Sequence, residues 1–218
     1  MTKWWVAALL ITTSCATSIP PRGVIPTIER NARGSAASPY FVIFVTGDGG
    51  WRKIDIKVSD VLRDEGMPVV GLLANQYFAL ERTPEETGAD LDKLIREYRE
   101  KWQRQKVILI GFSRGAEALP FMVNRLSDDA KRAVGLVVLL GPAEMTGFAM
   151  HTPDRFPLLP EVNRLGGIPL LCVNGTLEKH SVCRLLQPGE ATVLTMNGGH
   201  HFGGDYDRIA HAILDALK

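Results

Sequence analysis

Short apolar runs, repeated along the chain, are the feature of this sequence that most restricts its fold. The runs lie at residues 40–46, 68–74, 106–111, 134–140, 168–173 and 191–196. Most are continuous stretches of Val, Ile and Leu, which is typical of strands covered on both faces. Segments of helical period lie between or after them, at about 54–64, 84–103, 114–126 and 206–217. This alternation predicts an α/β fold with a mostly parallel sheet of about six strands flanked by helices, with no large cap domain.

The first residues of the chain predict an export signal. Lys3 precedes a short apolar stretch at 4–11, and small and polar residues then lead to Cys15. The stretch is too short to cross a bilayer as a helix, which needs about 20 apolar residues. We therefore expect residues 1–15 to be a signal peptide and the protein to be periplasmic. Two outcomes stay open at Cys15: simple cleavage, or a lipoprotein signal that leaves a lipid anchor on this residue.

Two segments lack a clear period. Residues 16–38 are rich in Pro, Ser, Thr, Gly and Arg, and this composition predicts a flexible linker without regular elements before a domain at 39–218. The second segment, 141–167, contains four prolines and is long for a simple connection. Loops of that size are often functional.

One pentapeptide carries the strongest chemical signal. Gly-Phe-Ser-Arg-Gly at 111–115 follows the predicted strand at 106–111 directly and opens a helical segment. A serine at such a sharp turn projects its hydroxyl freely, because the flanking glycines avoid side-chain collisions. The helix N-terminus also faces the negative charge that develops when the hydroxyl attacks a carbonyl. The context predicts the nucleophile elbow of an α/β-hydrolase fold, with Ser113 as the nucleophile.

An acid and a base are expected after later strands of such a fold, in that order. Glu178 follows the strand at 168–173 just beyond a turn glycine, and we predict that it is the acid. Two glycines after the last strand precede His200 and His201. We predict His200 as the general base, although either imidazole fits the loop, and the other histidine, His201, would line the pocket or pack. No metal site is expected here, because adjacent side chains point apart and no third ligand has a natural place.

The loop after the first strand is glycine-rich, with the sequence Thr-Gly-Asp-Gly-Gly-Trp at 46–51. In this scaffold that loop supplies one backbone N–H of the oxyanion hole, and the residue after the serine supplies the other. We predict Gly49 and Arg114 as these donors. Asp48 and Trp51 are candidate substrate contacts, and their alternative roles are a structural turn residue and a loop anchor. A phosphate-binding loop is disfavoured, because no Lys-Ser or Lys-Thr follows the glycines.

Charge and cysteine content narrow the partners and the compartment. The chain has 25 Lys and Arg against 24 Asp and Glu, and no long basic run, so no nucleic-acid partner is expected. With Cys15 set aside, Cys172 and Cys183 form an even pair, which predicts a disulfide in an oxidising periplasm. Two inert buried thiols are the alternative. The bond would bracket Glu178 and stabilise the fold by roughly 3 kcal/mol.

Together these motifs resemble the VirJ/AcvB family of bacterial virulence-associated α/β-hydrolases. The resemblance is carried by residues 47–51, 77–78, 83–85, 111–116, 172–183, 198–202 and 204–206. It extends from Tyr40 to the end of the chain. Two positions depart from the family pattern, since Arg114 stands where Phe is expected and Ala79 stands where an aromatic residue usually follows.

The resemblance implies a periplasmic hydrolase that cleaves the aminoacyl ester of aminoacyl-phosphatidylglycerol and releases lysine or alanine. Its expected partners are this phospholipid and the membrane surface, and no cofactor is expected. A cationic aminoacyl group calls for an acidic recipient, and Asp48 and Glu117 are the candidates because they lie near the oxyanion loop and the elbow. Two alternatives stay open: a broad carboxylesterase or thioesterase acting on small esters, and a non-catalytic secretion accessory protein on the same scaffold.

Overall fold

The computed structural model describes residues 20–34, 38–150 and 152–218. The predicted signal peptide and Cys15 lie outside the described residues, so their processing stays a prediction. In the described part of the chain, no helix has the length and apolar character needed to cross a membrane.

The described residues form nine strands and seven helices. The strands are β1 (Thr27–Arg30), β2 (Tyr40–Val45), β3 (Val69–Leu72), β4 (Lys106–Phe112), β5 (Val134–Leu140), β6 (Met145–Thr146), β7 (Phe156–Pro157), β8 (Leu170–Gly175) and β9 (Thr192–Met196). The helices are α1 (Lys53–Asp64), α2 (Ala74–Tyr77), α3 (Pro84–Trp102), α4 (Arg114–Asn124), α5 (Asp128–Ala133), α6 (Leu159–Asn163) and α7 (Tyr206–Asp215). Short 3-10 turns lie at Val182–Arg184 and Phe202–Gly204.

Seven strands form one sheet in the order β1-β3-β2-β4-β5-β8-β9. All neighbouring pairs are parallel except β1 and β3, which are antiparallel. The prediction of a mostly parallel sheet is therefore confirmed. The carboxyl ends of the parallel strands meet at one edge of the sheet, which we call the carboxyl edge.

One strand of the sheet, β1, was not predicted, and it corrects the prediction of a linker without regular elements. β1 lies inside the segment 16–38, for which no regular element was expected. Its sequence, Thr-Ile-Glu-Arg, is too short and polar to be recognised as a strand. The preceding Pro26 does not prevent pairing, because an edge strand tolerates proline at its start. The Pro26 carbonyl accepts a hydrogen bond from the Leu73 amide at 2.9 Å, which fixes the entry to β1.

Helices cover both faces of the sheet. Alternate residues of β2 point to opposite faces, so that Phe41 and Ile43 join one hydrophobic cluster and Val42 and Phe44 join the other. The first cluster includes apolar residues of α3 and α4, and the second includes those of α1 and α7. This two-sided burial explains why the strands appear in the sequence as continuous apolar runs.

The segment 141–167 forms a small hairpin followed by a short helix rather than a cap domain. In the hairpin, β6 pairs with β7 in antiparallel register. The aromatic rings of Phe148 and Phe156 lie 5.2 Å apart, and Phe148 also packs at 5.2 Å against Phe121 of α4. The hairpin is therefore packed onto the helix that begins at the predicted elbow.

The predicted disulfide joins Cys172 of β8 to Cys183 in the 3-10 turn, with their Cα atoms 5.6 Å apart. Both cysteines are buried in the core. The bond closes the loop that leaves the carboxyl edge after β8 and contains Glu178.

Candidate active site

Ser113 lies at a tight turn between β4 and α4. Its backbone has φ 53° and ψ −121°, a conformation that is strained for a residue with a side chain and common at functional turns. A Cβ atom at Gly115 would collide with the Val45 carbonyl, and one at Gly111 would lie 2.5 Å from the Gly115 carbonyl oxygen. The two glycines therefore allow the strand, the turn and the helix to pack closely, and the local structure is that of a nucleophile elbow.

His200 and Glu178 form the central pair of the site. His200 Nδ1 lies 2.7 Å from Glu178 Oε1, and the Gly175 amide donates to Glu178 Oε2 at 2.6 Å. Burial opposes ionisation of Glu178, but hydrogen bonds from His200 and Gly175 and the nearby charge of Arg184 hold its pKa below the ordinary value. An ionised carboxylate only accepts hydrogen bonds, so Nδ1 is assigned the proton. Nε2 then remains able to accept a proton from another group.

The neighbouring histidine has different contacts. His201 Nδ1 lies 3.5 Å from the Tyr206 hydroxyl, whereas the carboxylate partner belongs to His200. Both imidazoles contact Phe112, with ring centroids 5.0 Å away for His200 and 5.5 Å away for His201. In the part of the chain that the structure describes, no group of three His, Cys, Asp or Glu side chains is arranged to hold a metal ion.

The structure brings His200 to the residue that precedes Ser113. Its ring stacks on Phe112 with an interplanar angle of 30°. Among the described residues, no hydrogen bond joins the Ser113 hydroxyl to His200. Serine–imidazole hydrogen bonds are often long in free enzymes and tighten when substrate binds.

Gly141 was not predicted as a site residue, and its backbone lies against the contact between His200 and Glu178. It follows β5 at the carboxyl edge and has φ +61°. A Cβ atom here would lie 2.9 Å from His200 Nδ1 and 3.2 Å from Glu178 Oε1. The sequence feature that could have identified Gly141 is its position directly after a buried strand.

Loop 46–51, which is predicted to supply an oxyanion donor, comes closest to the elbow at Gly47, whereas the predicted donor Gly49 lies two residues further along. A Cβ atom at Gly47 would lie 3.1 Å from the Cβ of Ser113. Gly49 is exposed, and its carbonyl accepts a hydrogen bond from Arg52 at 2.7 Å. Arg114 is the first residue of α4, so its N–H has no acceptor within the helix, as an oxyanion donor requires.

The Arg114 side chain has a second role that the sequence did not reveal. Its guanidinium is mostly buried and lies 3.5 Å from Asp48, 3.4 Å from Glu117 and 2.6 Å from Asp154. Its Nη1 also lies 3.4 Å from the Gly147 carbonyl oxygen, which it can reach as a donor. Arg114 therefore ties the oxyanion loop and α4 to the hairpin of segment 141–167.

Glu117 is a buried carboxyl group next to this arginine. Burial raises its pKa to about 7; Arg114 opposes the rise, and the negative charges of Asp154 and Asp48 add to it. Thr146 Oγ1 donates to Glu117 Oε2 at 3.4 Å. Glu117 therefore changes its charge near neutral pH.

A cavity of about 270 Å³ lies between α4 and the loop that contains Glu178. Glu117, Gly141, Glu178 and His200 are among the residues that line it. A larger cavity of about 530 Å³ lies where β5, β8 and β9 begin, and its lining includes none of the predicted site residues. The smaller cavity borders the predicted acid and base and is therefore the candidate substrate site, and Ser113 is not among its lining residues.

Asp48 and Trp51 do not line this cavity. Trp51 packs on β3, where a Cβ atom at Gly71 would collide with its ring, and its ring lies 6.0 Å from that of Phe44. Of the two roles considered for Trp51, this packing supports the loop anchor. Asp48 is half exposed and is paired with Arg114.

The comparison with protein families identifies a match over the whole predicted domain. The family described as "Bacterial virulence protein (VirJ)" matches residues 39–218. The chain belongs to the VirJ family. Among curated proteins, none matches this chain.

The VirJ-family chain also resembles solved structures of other proteins. An α/β serine hydrolase without a lid from Xanthomonas campestris has a TM-score of 0.58 and 16% identity, and the match covers 88% of this chain and 87% of that chain. Est1E from Butyrivibrio proteoclasticus has a TM-score of 0.66 and 11% identity, covering 91% and 97%. A lipase-esterase related protein from Clostridium acetobutylicum has a TM-score of 0.64 and 13% identity, covering 87% and 98%. These likenesses show that the VirJ domain has the α/β-hydrolase fold.

The close approach at Gly141 predicts that Gly141→Ala separates His200 from Glu178. We expect Ser113 to react with a fluorophosphonate at least about tenfold more slowly, because small misplacements within a catalytic group are costly. Gly167→Ala is the matched control, since Gly167 also has positive φ, at +80°, but no atom lies within 4 Å of its added Cβ. Equal labelling rates in the two variants would show that the His200–Glu178 contact does not activate Ser113.

The raised pKa of Glu117 predicts a loss of stability with rising pH. The folded state keeps this proton up to about pH 7, whereas the unfolded chain releases it near the ordinary glutamate pKa of 4.5. The folded state therefore binds more protons in this window, and its stability falls as the pH rises through it. From pH 5 to pH 8, wild type should lose about 2 to 3 kcal/mol relative to Glu117→Gln. Urea unfolding at both pH values measures this difference, with the exposed Glu97→Gln as control, and no pH-dependent difference would contradict the pKa shift.

Proposed function

We propose that this VirJ-family protein is a serine ester hydrolase in which Ser113 is the nucleophile, His200 the base and Glu178 the acid. The observation that carries the proposal is the 2.7 Å contact of His200 Nδ1 with Glu178, located beside a strained serine at a strand-to-helix turn. The carboxylate fixes the orientation and tautomer of the imidazole. The proposal thus gives each of the three residues a chemical role.

The proposed reaction proceeds through an acyl-enzyme. His200 Nε2 takes the Ser113 proton while the serine oxygen attacks the ester carbonyl carbon. The negative oxygen of the tetrahedral intermediate accepts hydrogen bonds from the Arg114 N–H and from an amide of loop 46–51. His200 then gives its proton to the departing alcohol, and a water molecule activated by the same imidazole hydrolyses the acyl-enzyme. Each amide donor is worth about 3 to 4 kcal/mol of transition-state stabilisation.

The proposed substrate is the aminoacyl ester of aminoacyl-phosphatidylglycerol. Membership of the VirJ family is the first support for this substrate. The charge around Arg114, the residue after Ser113, is the second, because Asp48, Glu117 and Asp154 all lie within 3.5 Å of its guanidinium. An excess of carboxylates favours a substrate with a positive charge.

The proposed location is the periplasm, with the membrane surface as the source of substrate. The buried disulfide supports an oxidising compartment, because such bonds are rare in the reducing cytosol. A lipid at Cys15, where present, would keep the enzyme close to phospholipid headgroups.

The first test is hydrolysis by the purified protein. We expect release of lysine or alanine from vesicles that contain lysyl- or alanyl-phosphatidylglycerol, measured by mass spectrometry. Ser113→Ala should lower the rate by more than about 1,000-fold, because the nucleophile is lost. Ser59→Ala is the control, since the Ser59 hydroxyl is buried on α1 and lies outside the candidate site.

Two results would contradict this assignment. Wild-type protein that forms no fluorophosphonate adduct at Ser113 would favour a non-catalytic accessory protein. Much faster cleavage of short acyl esters than of aminoacyl lipid would favour a broad carboxylesterase or thioesterase.

The second test concerns the ammonium group of the substrate. We expect Glu117 rather than Asp48 to receive it, because Glu117 lines the cavity together with His200. At pH 8, above its pKa of about 7, Glu117 is ionised, so Glu117→Gln should raise KM for a lysyl ester about tenfold and leave a neutral ester nearly unchanged. Asp48→Asn is the comparison and should change KM little. Equal effects of Glu117→Gln on the charged and neutral esters would reject this role.

A further inference from the structure

Backbone amides of the loop that contains Glu178, which we call the acid loop, donate hydrogen bonds to β9 and to the loop that contains His200. The Thr176 amide donates to the Met196 carbonyl at 2.8 Å, and the Leu177 amide donates to the Gly198 carbonyl at 3.0 Å. The Gly198 amide in turn donates to the Thr176 hydroxyl at 3.1 Å. These hydrogen bonds hold the acid loop beside the His200 loop at the carboxyl edge.

The Arg184 side chain binds several backbone carbonyls of the same loop. Its Nε donates to the Glu178 carbonyl at 2.8 Å, and its Nη2 donates to the carbonyls of Thr176 at 3.0 Å and Gly175 at 3.4 Å. The planar guanidinium presents its donors in a fixed fork, which a lysine ammonium cannot reproduce. Arg184 therefore fixes the backbone on both sides of Leu177.

The disulfide fixes the position of Arg184. Cys183, its neighbour in the 3-10 turn, is bonded to Cys172 of β8, the strand from which the acid loop leaves. Two side chains next to Glu178 contribute little anchoring, because Leu177 is 72% exposed and the His180 side chain is 89% exposed. The part of the loop around Glu178 therefore depends on Arg184, whereas its far end is anchored by the buried Val182 and the disulfide.

We propose that Arg184, anchored by the Cys172–Cys183 disulfide, is a positioning residue that keeps the Glu178 carboxylate against His200. The inference rests on the proposed function and deepens it, since Arg184 acts through Glu178 and touches neither substrate nor reacting atoms. Its positive charge also favours the ionised form of Glu178.

A double-mutant cycle tests this role with kcat and KM of ester hydrolysis as the readouts. Arg184→Ala should lower kcat about 10- to 100-fold with KM little changed, because the carboxylate is misplaced rather than the substrate. Glu178→Gln should cost about 1,000-fold or more. Adding Arg184→Ala to Glu178→Gln should cost almost nothing further, because the arginine no longer has a carboxylate to position.

Three further arms complete the experiment. Arg184→Lys retains the charge without the fork and should stay close to Arg184→Ala. Reduction of the disulfide should lower kcat in wild type but not in Glu178→Gln, and it tests the proposal even where Arg184→Ala fails to fold. The exposed Arg164→Ala, paired in the structure with Glu161, is the control and should leave kcat unchanged.

The outcomes separate the two proposals. Multiplicative effects of Arg184→Ala and Glu178→Gln in an active enzyme would overturn the positioning role and leave the triad in place. Full activity of Arg184→Ala would overturn it as well. A wild-type protein that neither cleaves esters nor labels at Ser113 would instead refute the proposed function, and the positioning role would fall with it.

Discussion

The parallel pairing of β4, β5, β8 and β9 is the constraint on which the candidate site depends. Parallel strands end at the same edge of a sheet, so four chain segments that are distant in sequence arrive together at the carboxyl edge. Ser113 follows β4, Gly141 follows β5, Glu178 follows β8 and His200 follows β9. The Ser113 amide donates to the Leu140 carbonyl at 2.9 Å, which links the elbow directly to the strand end that Gly141 continues. The apolar burial that specifies the sheet therefore also specifies the chemistry of its edge.

The two ionisable carboxyl groups that face the cavity have opposite environments. Glu178 is kept ionised by donors that outweigh its burial, as a partner for an imidazolium requires. For Glu117, burial and the neighbouring carboxylates outweigh the attraction of Arg114, so its pKa rises to about 7. Groups whose pKa values are pushed apart in this way commonly have different roles in one site. The arrangement is consistent with one carboxylate serving the base and the other sensing the charge of a ligand.

The sequence predicted those features that depend on local pattern, and it failed where the decisive contact is between distant segments. The six predicted strands, the turn at Ser113 and the meeting of Glu178 with His200 could be derived, because each strand is a buried apolar run followed by its motif. β1 could not be derived in this way, because Thr27–Arg30 is a short, polar strand that is defined by its pairing with β3. Gly141 and Arg184 looked like ordinary loop residues, since their importance comes from atoms of His200, Glu178 and the acid loop. The position of Trp51 depends on Gly71 of β3, where a side chain would collide with the Trp51 ring.

The contacts of Arg114 give a physical reason why this residue is not interchangeable with an aromatic one. A phenylalanine would leave the buried Glu117 beside Asp48 and Asp154 without a counter-charge, which is costly in a poorly solvated site. The same change would remove the 2.6 Å contact that ties Asp154 in the hairpin to α4. Glu117 of α4 lines the cavity and also accepts a hydrogen bond from Thr146 of the hairpin. Because Arg114 contacts both Glu117 and the hairpin residue Asp154, it links the charge of the cavity to the packing of the hairpin. Substitution at this one position is therefore expected to alter substrate charge preference and hairpin docking together.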